Sequence, residues 1–225
     1  MQEFALQGGG TPLPFDPPKV LVSSGIYAYF ANPMQTSTSL MLMLWGAMLG
    51  NFWIAISGIM GIVYSIGFAA WSEEADLITR FGKSWQDYRQ NVKAWLPRWR
   101  PWFPKNSDYD RIYIAKECGP CSELALWLST RQPLNLELVP AEAHPTTDLK
   151  RLTYESAQTE HTEVGVAALA RAMMHIHFGW ALLGILICLP IIRPSIHLLV
   201  DAVGGEPKLI SRAQRQTIID NQNQT

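Results

Sequence analysis

The stretch MQTSTSLMLMLWGAMLGNFWIAISGIMGIVYSIGFAAW, residues 34–71, decides how this chain is read. It holds no Asp, Glu, Lys, Arg or His. It is the centre of a charge-free block of 53 residues, Val20 to Ser72, in a chain of which 16% is charged. Pro33 can serve as the first residue of a helix, and Met34 to Leu49 continues it as an apolar segment. Gly50-Asn51 breaks the run. Phe52 to Trp71 then supplies 20 more residues, enough at 1.5 Å per residue to cross ~30 Å of hydrocarbon. The first segment is short for a full span. A helix of a soluble protein usually shows a polar stripe, and neither segment has a charged one. The spacing therefore predicts two antiparallel membrane helices, 34–49 and 52–71. A buried hairpin in a soluble core is the alternative.

The flanks set the expected orientation. From Arg80 to Lys105 seven basic residues face Asp87 alone, a net charge of +6. Trp71, Trp85, Trp95, Trp99 and Trp102 lie in or beside this stretch. Basic residues mixed with tryptophan suit a headgroup layer, so 72–105 reads as an interfacial segment with both hairpin ends in the cytoplasm. The tail from Glu206 is rich in Gln and Asn, and 206–225 reads as flexible.

Composition narrows the classes further. The chain has 225 residues and a net charge of −1, with mean hydropathy +0.03 and pI about 6.5. Neither a disordered chain nor a collagen-like repeat fits, and no nucleic-acid partner is expected. Three cysteines are too few for a disulfide scaffold. Met1 to Gly10 has no basic n-region and no apolar h-region, so no secretory signal is expected. The abrupt glycine-proline start, Gly8 to Pro18, reads as an extended loop and points to further helices upstream.

Beyond Asn106-Ser107-Asp108 the pattern changes. Arg111 to Ala115 reads as a strand, Glu123 to Thr130 as a helix, and Leu134 to Val139 as a strand, a βαβ unit. Arg151 to Glu155 is a candidate further strand. Val164 to Ile176 is helical, and Phe178 to Ile192, at 15 residues, is too short for a third span. Between the first strand and helix stands Cys118-Gly119-Pro120-Cys121. A Cys-x-x-Cys pair there reads as a redox centre. The helix N-terminus would stabilise a thiolate at Cys118, the attacking sulfur, and Cys121 would resolve the mixed disulfide. Half of a zinc site is the alternative, but there is no second cysteine pair, and His175 and His177 point to different sides of a helix. No metal is expected. His175 reads as a packing or surface histidine.

Two resemblances extend these readings. Residues 8–100 resemble the integral-membrane methyltransferases of the isoprenylcysteine carboxyl methyltransferase and phospholipid methyltransferase group. The residues that carry it are the glycine-proline loop, Leu21-Val22, the Gly25 to Met34 turn with Asn32-Pro33, the hairpin, Glu73-Glu74, Leu77, Phe81-Gly82, Tyr88, Val92 and Pro97. The resemblance implies S-adenosylmethionine as cofactor, with a lipidic or small hydrophobic methyl acceptor entering from the bilayer. Gly8, Gly10, Asn32, Pro33, Glu73 and Glu74 are its candidate cofactor-binding residues. A carboxylate can hold the cofactor's ammonium by a charge-assisted hydrogen bond. Adjacent helix residues diverge, so only one of the two glutamates faces the ligand, with Glu73 preferred. Ala31 and Gln35 stand where the group usually has Arg and Tyr, which leaves open a scaffold that no longer methylates. Residues 111–203 resemble the DCC family of thiol-disulfide oxidoreductase-like domains, through Cys118, Cys121, Trp127-Leu128, Leu138-Val139-Pro140, Gly165 to Leu169, Trp180 and Pro190. Here Ala115-Lys116 replace that family's Asp-Gly.

The expectation is thus an α-helical membrane hairpin module, methyltransferase-like, over 1–105, and a small α/β thioredoxin-like domain over 106–205. Its function would be methyl transfer fused to dithiol–disulfide exchange with a thiol-redox partner protein. The alternatives are a membrane-anchored oxidoreductase with unit one as a scaffold, or a non-enzymatic membrane subunit.

Overall fold

The computed structural model describes residues 8–10, 18–105, 107–115, 119–144, 149–150, 152–158 and 161–202. The chain divides into two compact units, 1–98 and 99–225.

In the first unit a 3-10 turn, Gly25–Ala28, precedes α1 (Pro33–Met48), α2 (Phe52–Tyr64), a π-helical turn (Ser65–Ala69) and α3 (Ala70–Asn91). Pro33 opens α1 at its first turn. The α1–α2 turn closes because Gly50 takes a left-handed φ of 61°, which glycine adopts without a Cβ penalty. Asn51 then caps α2, its side-chain oxygen accepting from the backbone N–H groups of Trp53 and Ile54 at 3.1 and 3.3 Å. That satisfies two of the donors a helix start leaves open. Small residues let the two helices meet. A Cβ on Gly46 would strike the backbone of Ala55, and one on Gly58 would lie 2.6 Å from the Ser39 carbonyl oxygen.

The core of this unit lies elsewhere. Tyr27, Ala28, Tyr29 and Phe30 are buried, as are Trp85, Tyr88 and Val92 of α3 and its continuation. The Tyr88 hydroxyl donates to the Tyr27 carbonyl at 2.8 Å. Two further backbone bonds, from Ala31 and Asn32 to the carbonyls of Lys93 and Ala94, tie the foot of α1 to the chain beyond α3.

The expected membrane hairpin module does not stand as drawn. No single described helix is long and apolar enough to cross a membrane. The 20-residue helix expected over 52–71 is interrupted: α2 stops after 13 residues and passes into the π-helical turn. Ser65 supplies a reason, since its Oγ donates back to the Gly61 carbonyl at 2.8 Å, a bond that bends helices. Two bent pairs pass a length-and-composition test together, Phe52–Phe68 with Glu73–Asn91 at 57° and Phe178–Ile187 with Ile192–Val200 at 90°. The fold class is therefore corrected to an α/β chain with a four-stranded mixed sheet and, among the described residues, seven α-helices.

The second unit holds that sheet. It comprises β1 (Asp110–Ile114), α4 (Gly119–Thr130), β2 (Leu136–Pro140), β3 (Leu152–Glu155), β4 (Thr162–Val164), α5 (Val166–Met173), α6 (Phe178–Ile187) and α7 (Ile192–Ala202). The strand order is β2-β1-β3-β4. β1 and β2 are parallel, with Ile114 opposite Pro140. β1 with β3 and β3 with β4 are antiparallel. The period of two along β1 sends Ile112 and Ile114 into one core with Leu128, Leu136, Tyr154, Ala168 and Ala172. Tyr113 and Ala115 enter a second with Ala141 and Leu149. α5 is buried along nearly all its length. Its alanines admit α6 so closely that a Cβ on Gly184 would sit 2.6 Å from the Ala170 carbonyl oxygen.

Candidate functional site

The Cys-Gly-Pro-Cys segment leads from the carboxyl end of β1 into α4. Cys118 lies outside the described residues. Gly119 is the first residue of α4, and Gly119 and Pro120 are exposed. Proline suits a first helical turn because its missing N–H has no partner to lose there. Cys121 follows in that same turn, half-buried, and packs against both core clusters. It therefore stands where the two cores meet at the end of the sheet. Among the described residues no acidic side chain occupies the first turn of α4, and the positive end of a helix dipole favours a thiolate. The Ser122 hydroxyl donates to the Gly119 carbonyl at 2.8 Å and holds the turn.

Further polar groups lie along the sheet, with Glu155 opposite Arg111, three residues before the end of β1. His144 Nε2 is 3.2 Å from Glu155 Oε1, and its ring meets Tyr113 edge-on at 4.6 Å. Burial and the Glu155 charge push the Tyr113 hydroxyl above its usual pKa.

The most enclosed polar cluster was not singled out by sequence reasoning. Asp110, Tyr154 and His175 are all buried, at 6%, 6% and 4% exposure. The Tyr154 hydroxyl donates to Asp110 Oδ2 at 2.8 Å and lies 3.1 Å from His175 Nε2. His175 Nδ1 faces the Leu134 carbonyl at 2.8 Å, which fixes a proton on that nitrogen. Asp110 Oδ1 accepts from the Ala157 N–H at 2.8 Å, and Phe103 stacks on the imidazole at 5.2 Å. Burial lowers the His175 pKa, against the raising effects of Asp110 and Leu134. Asp110 begins β1 whereas the cysteines follow its end, ~13 Å away at 3.3 Å per residue. This buried cluster ties β1, β3, the turn after α5 and the approach to β2 together.

Of the candidate cofactor residues of the first unit, Glu74, Gly8 and Asn32 have local contacts within the fold. Glu74 Oε1 accepts from Trp85 Nε1 at 3.1 Å, and its Oε2 faces Arg89 at 4.0 Å. Its carboxylate thus braces α3 across the break at Gly82, where φ is 51°. Glu73 is exposed, and no hydrogen bond or ion pair engages it among the described residues; partial desolvation raises its pKa. Gly8 is buried, its carbonyl taken by the Lys19 N–H at 2.7 Å, and a Cβ there would meet Pro18. Gly10 is buried as well. Pro18 in turn accepts from Arg80 at 3.0 Å, so the glycine segment meets α3 six residues past Glu74, ~9 Å along the helix. Asn32 and Pro33 serve the start of α1, Asn32 Nδ2 donating to Gln35 at 3.2 Å. Of the two glutamates, Glu73 is thus the open carboxylate, while Glu74 and the Gly8 carbonyl are bonded within the fold.

No family model, no curated protein and no solved structure matches this chain.

Proposed function

We propose that the chain is a thiol–disulfide oxidoreductase whose active centre is the Cys118–Cys121 pair, with the first unit as its scaffold. The observation that supports this most is the place of Cys121: half-buried in the opening turn of α4, directly after the central strand of a parallel βαβ unit. A Cys-x-x-Cys pair in that position is suited to dithiol exchange.

The reaction needs two displacements. The Cys118 thiolate attacks one sulfur of a substrate disulfide, forming a mixed disulfide and releasing the first substrate thiolate. Cys121 then loses its proton and attacks Cys118, closing the Cys118–Cys121 disulfide and releasing the second substrate thiolate. Two electrons pass to the substrate, and the reverse sequence oxidises a substrate dithiol. A helix amino end favours a thiolate, and the packing of Cys121 holds the resolving sulfur in the opening turn of α4.

Methyl transfer gains less support, because Glu74 and Gly8 are engaged within the fold. Reduction of a protein disulfide by the purified full chain, with a dithiol regenerant, tests the proposal. Activity abolished by Cys118→Ser supports it, and activity unchanged by that substitution refutes it.

A further inference from the structure

The α1–α2 hairpin covers little of its own apolar surface, and its extremity is the most exposed part. Met48, Leu49, Phe52 and Trp53 are 85%, 61%, 70% and 77% exposed. Exposed apolar patches of this kind mark interaction surfaces. Three features identify what this one meets.

The first is the absence of charge. Every residue of both helices and the turn falls in the 53-residue uncharged block. The second is the state of the backbone at the tip. The Leu49, Gly50 and Asn51 N–H groups donate to the carbonyls of Trp45, Ala47 and Gly46, and the Asn51 side chain takes the N–H groups of Trp53 and Ile54. A tip that satisfies these groups internally can leave water, where an open one would carry a heavy desolvation cost. The third is the charge at the feet. The foot of α1 is hydrogen-bonded to the carbonyl of Lys93, and Arg98 follows, its backbone N–H bonded to Tyr29. Past the hairpin, five basic residues of this unit stand against Glu73, Glu74, Asp76 and Asp87, so the feet are close to neutral and it is the uncharged, internally bonded tip that suits hydrocarbon. The seam of Ser39, Met43 and Gly46 against Ala55 and Gly58 is also the way helices associate without a hydrophobic driving force between them.

Length then decides the mode. The 16 residues of α1 reach ~24 Å at 1.5 Å per residue, short of a hydrocarbon core of ~30 Å. We infer that the α1–α2 hairpin inserts tip-first into a lipid bilayer from one side, both feet staying on that side and the tip ending inside the hydrocarbon without crossing it. This concerns the first unit and does not depend on the thiol chemistry.

The test uses the full chain and vesicles of phosphatidylcholine with phosphatidylglycerol. The chain should float with the vesicles, and Phe52→Glu with Trp53→Glu should lower the bound fraction at least tenfold, with an unchanged circular dichroism spectrum because both side chains point outward. In a Cys118→Ser, Cys121→Ser, Cys188→Ser background, an environment-sensitive dye on Leu49→Cys should shift to the blue and be quenched more by deep than by shallow spin-labelled lipids. An unlabelled Leu49→Cys should resist a membrane-impermeant thiol reagent trapped inside the vesicles. Three outcomes overturn the inference. One is modification by the trapped reagent, which means the hairpin crosses. Another is no flotation together with a stable dimer in buffer, which means a second copy covers the hairpin. The last is flotation unaffected by the two glutamates.

Discussion

The indole Nε1 of Trp85 donates to Glu74 Oε1 at 3.1 Å across the break at Gly82. This bond joins the two halves of α3 and gives adjacent glutamates different tasks. Trp85 is buried, so Glu74→Ala strands its N–H in a poorly solvated site. We expect Glu74→Ala to destabilise the protein by ~1–2 kcal/mol in urea unfolding, and Glu73→Ala by less than ~0.5 kcal/mol, as for ordinary surface sites. Equal losses would remove the brace.

The same division of labour predicts a ligand result. With Glu74 and Gly8 engaged, titration calorimetry with S-adenosylmethionine should give no binding heat at millimolar ligand. A saturable heat that Glu73→Gln abolishes would restore the methyltransferase reading.

His175 makes stability depend on pH. Burial lowers its folded pKa below the ordinary value of about 6.5. The unfolded chain therefore binds the proton first as pH falls. Stability from this site is fully present above about 6.5 and declines as pH drops through the folded value. Thermal unfolding followed from pH 7.5 down to pH 5 should show a falling Tm, and His175→Gln, though less stable at pH 7.5, should flatten that slope. The same slope in both proteins would remove His175 as the cause.

The seam of the hairpin gives a steric prediction. A Cβ on Gly46 meets Ala55 backbone, which cannot yield as a flexible side chain would, whereas a Cβ on Gly67 has nothing within 4 Å. In detergent micelles Gly46→Val should cost ~1–3 kcal/mol of hairpin stability by overpacking. Gly67→Ala should be neutral or stabilising by up to ~1 kcal/mol. Thermal melting of the helical signal distinguishes them, and equal melting temperatures would contradict the seam.

What the sequence revealed was mostly local. Pro33 and Gly50-Asn51 announce the hairpin, because a ring-fixed φ and a left-handed turn are properties of single residues. The strand, helix, strand run over Arg111 to Val139 shows in its apolar periods. The interruption at Ser65–Ala69 does not, since apolar residues continue through it and the bend follows from one hydroxyl. β4 has only three residues, too few to show a period. Which of Glu73 and Glu74 is open depends on Trp85, eleven residues on. The Asp110–Tyr154–His175 cluster joins residues 44 and 21 apart, and no local pattern announces such a meeting.

The central claim is that Cys118 and Cys121 act as attacker and resolver. It is tested most directly by incubating the Cys121→Ser chain with a disulfide substrate and weighing the product by mass spectrometry without reductant. A stable mixed disulfide between Cys118 and the substrate is expected, absent from wild type, which releases its substrate and closes its own bridge. No adduct at Cys118, or full turnover by Cys121→Ser with the adduct on Cys188 instead, would contradict it.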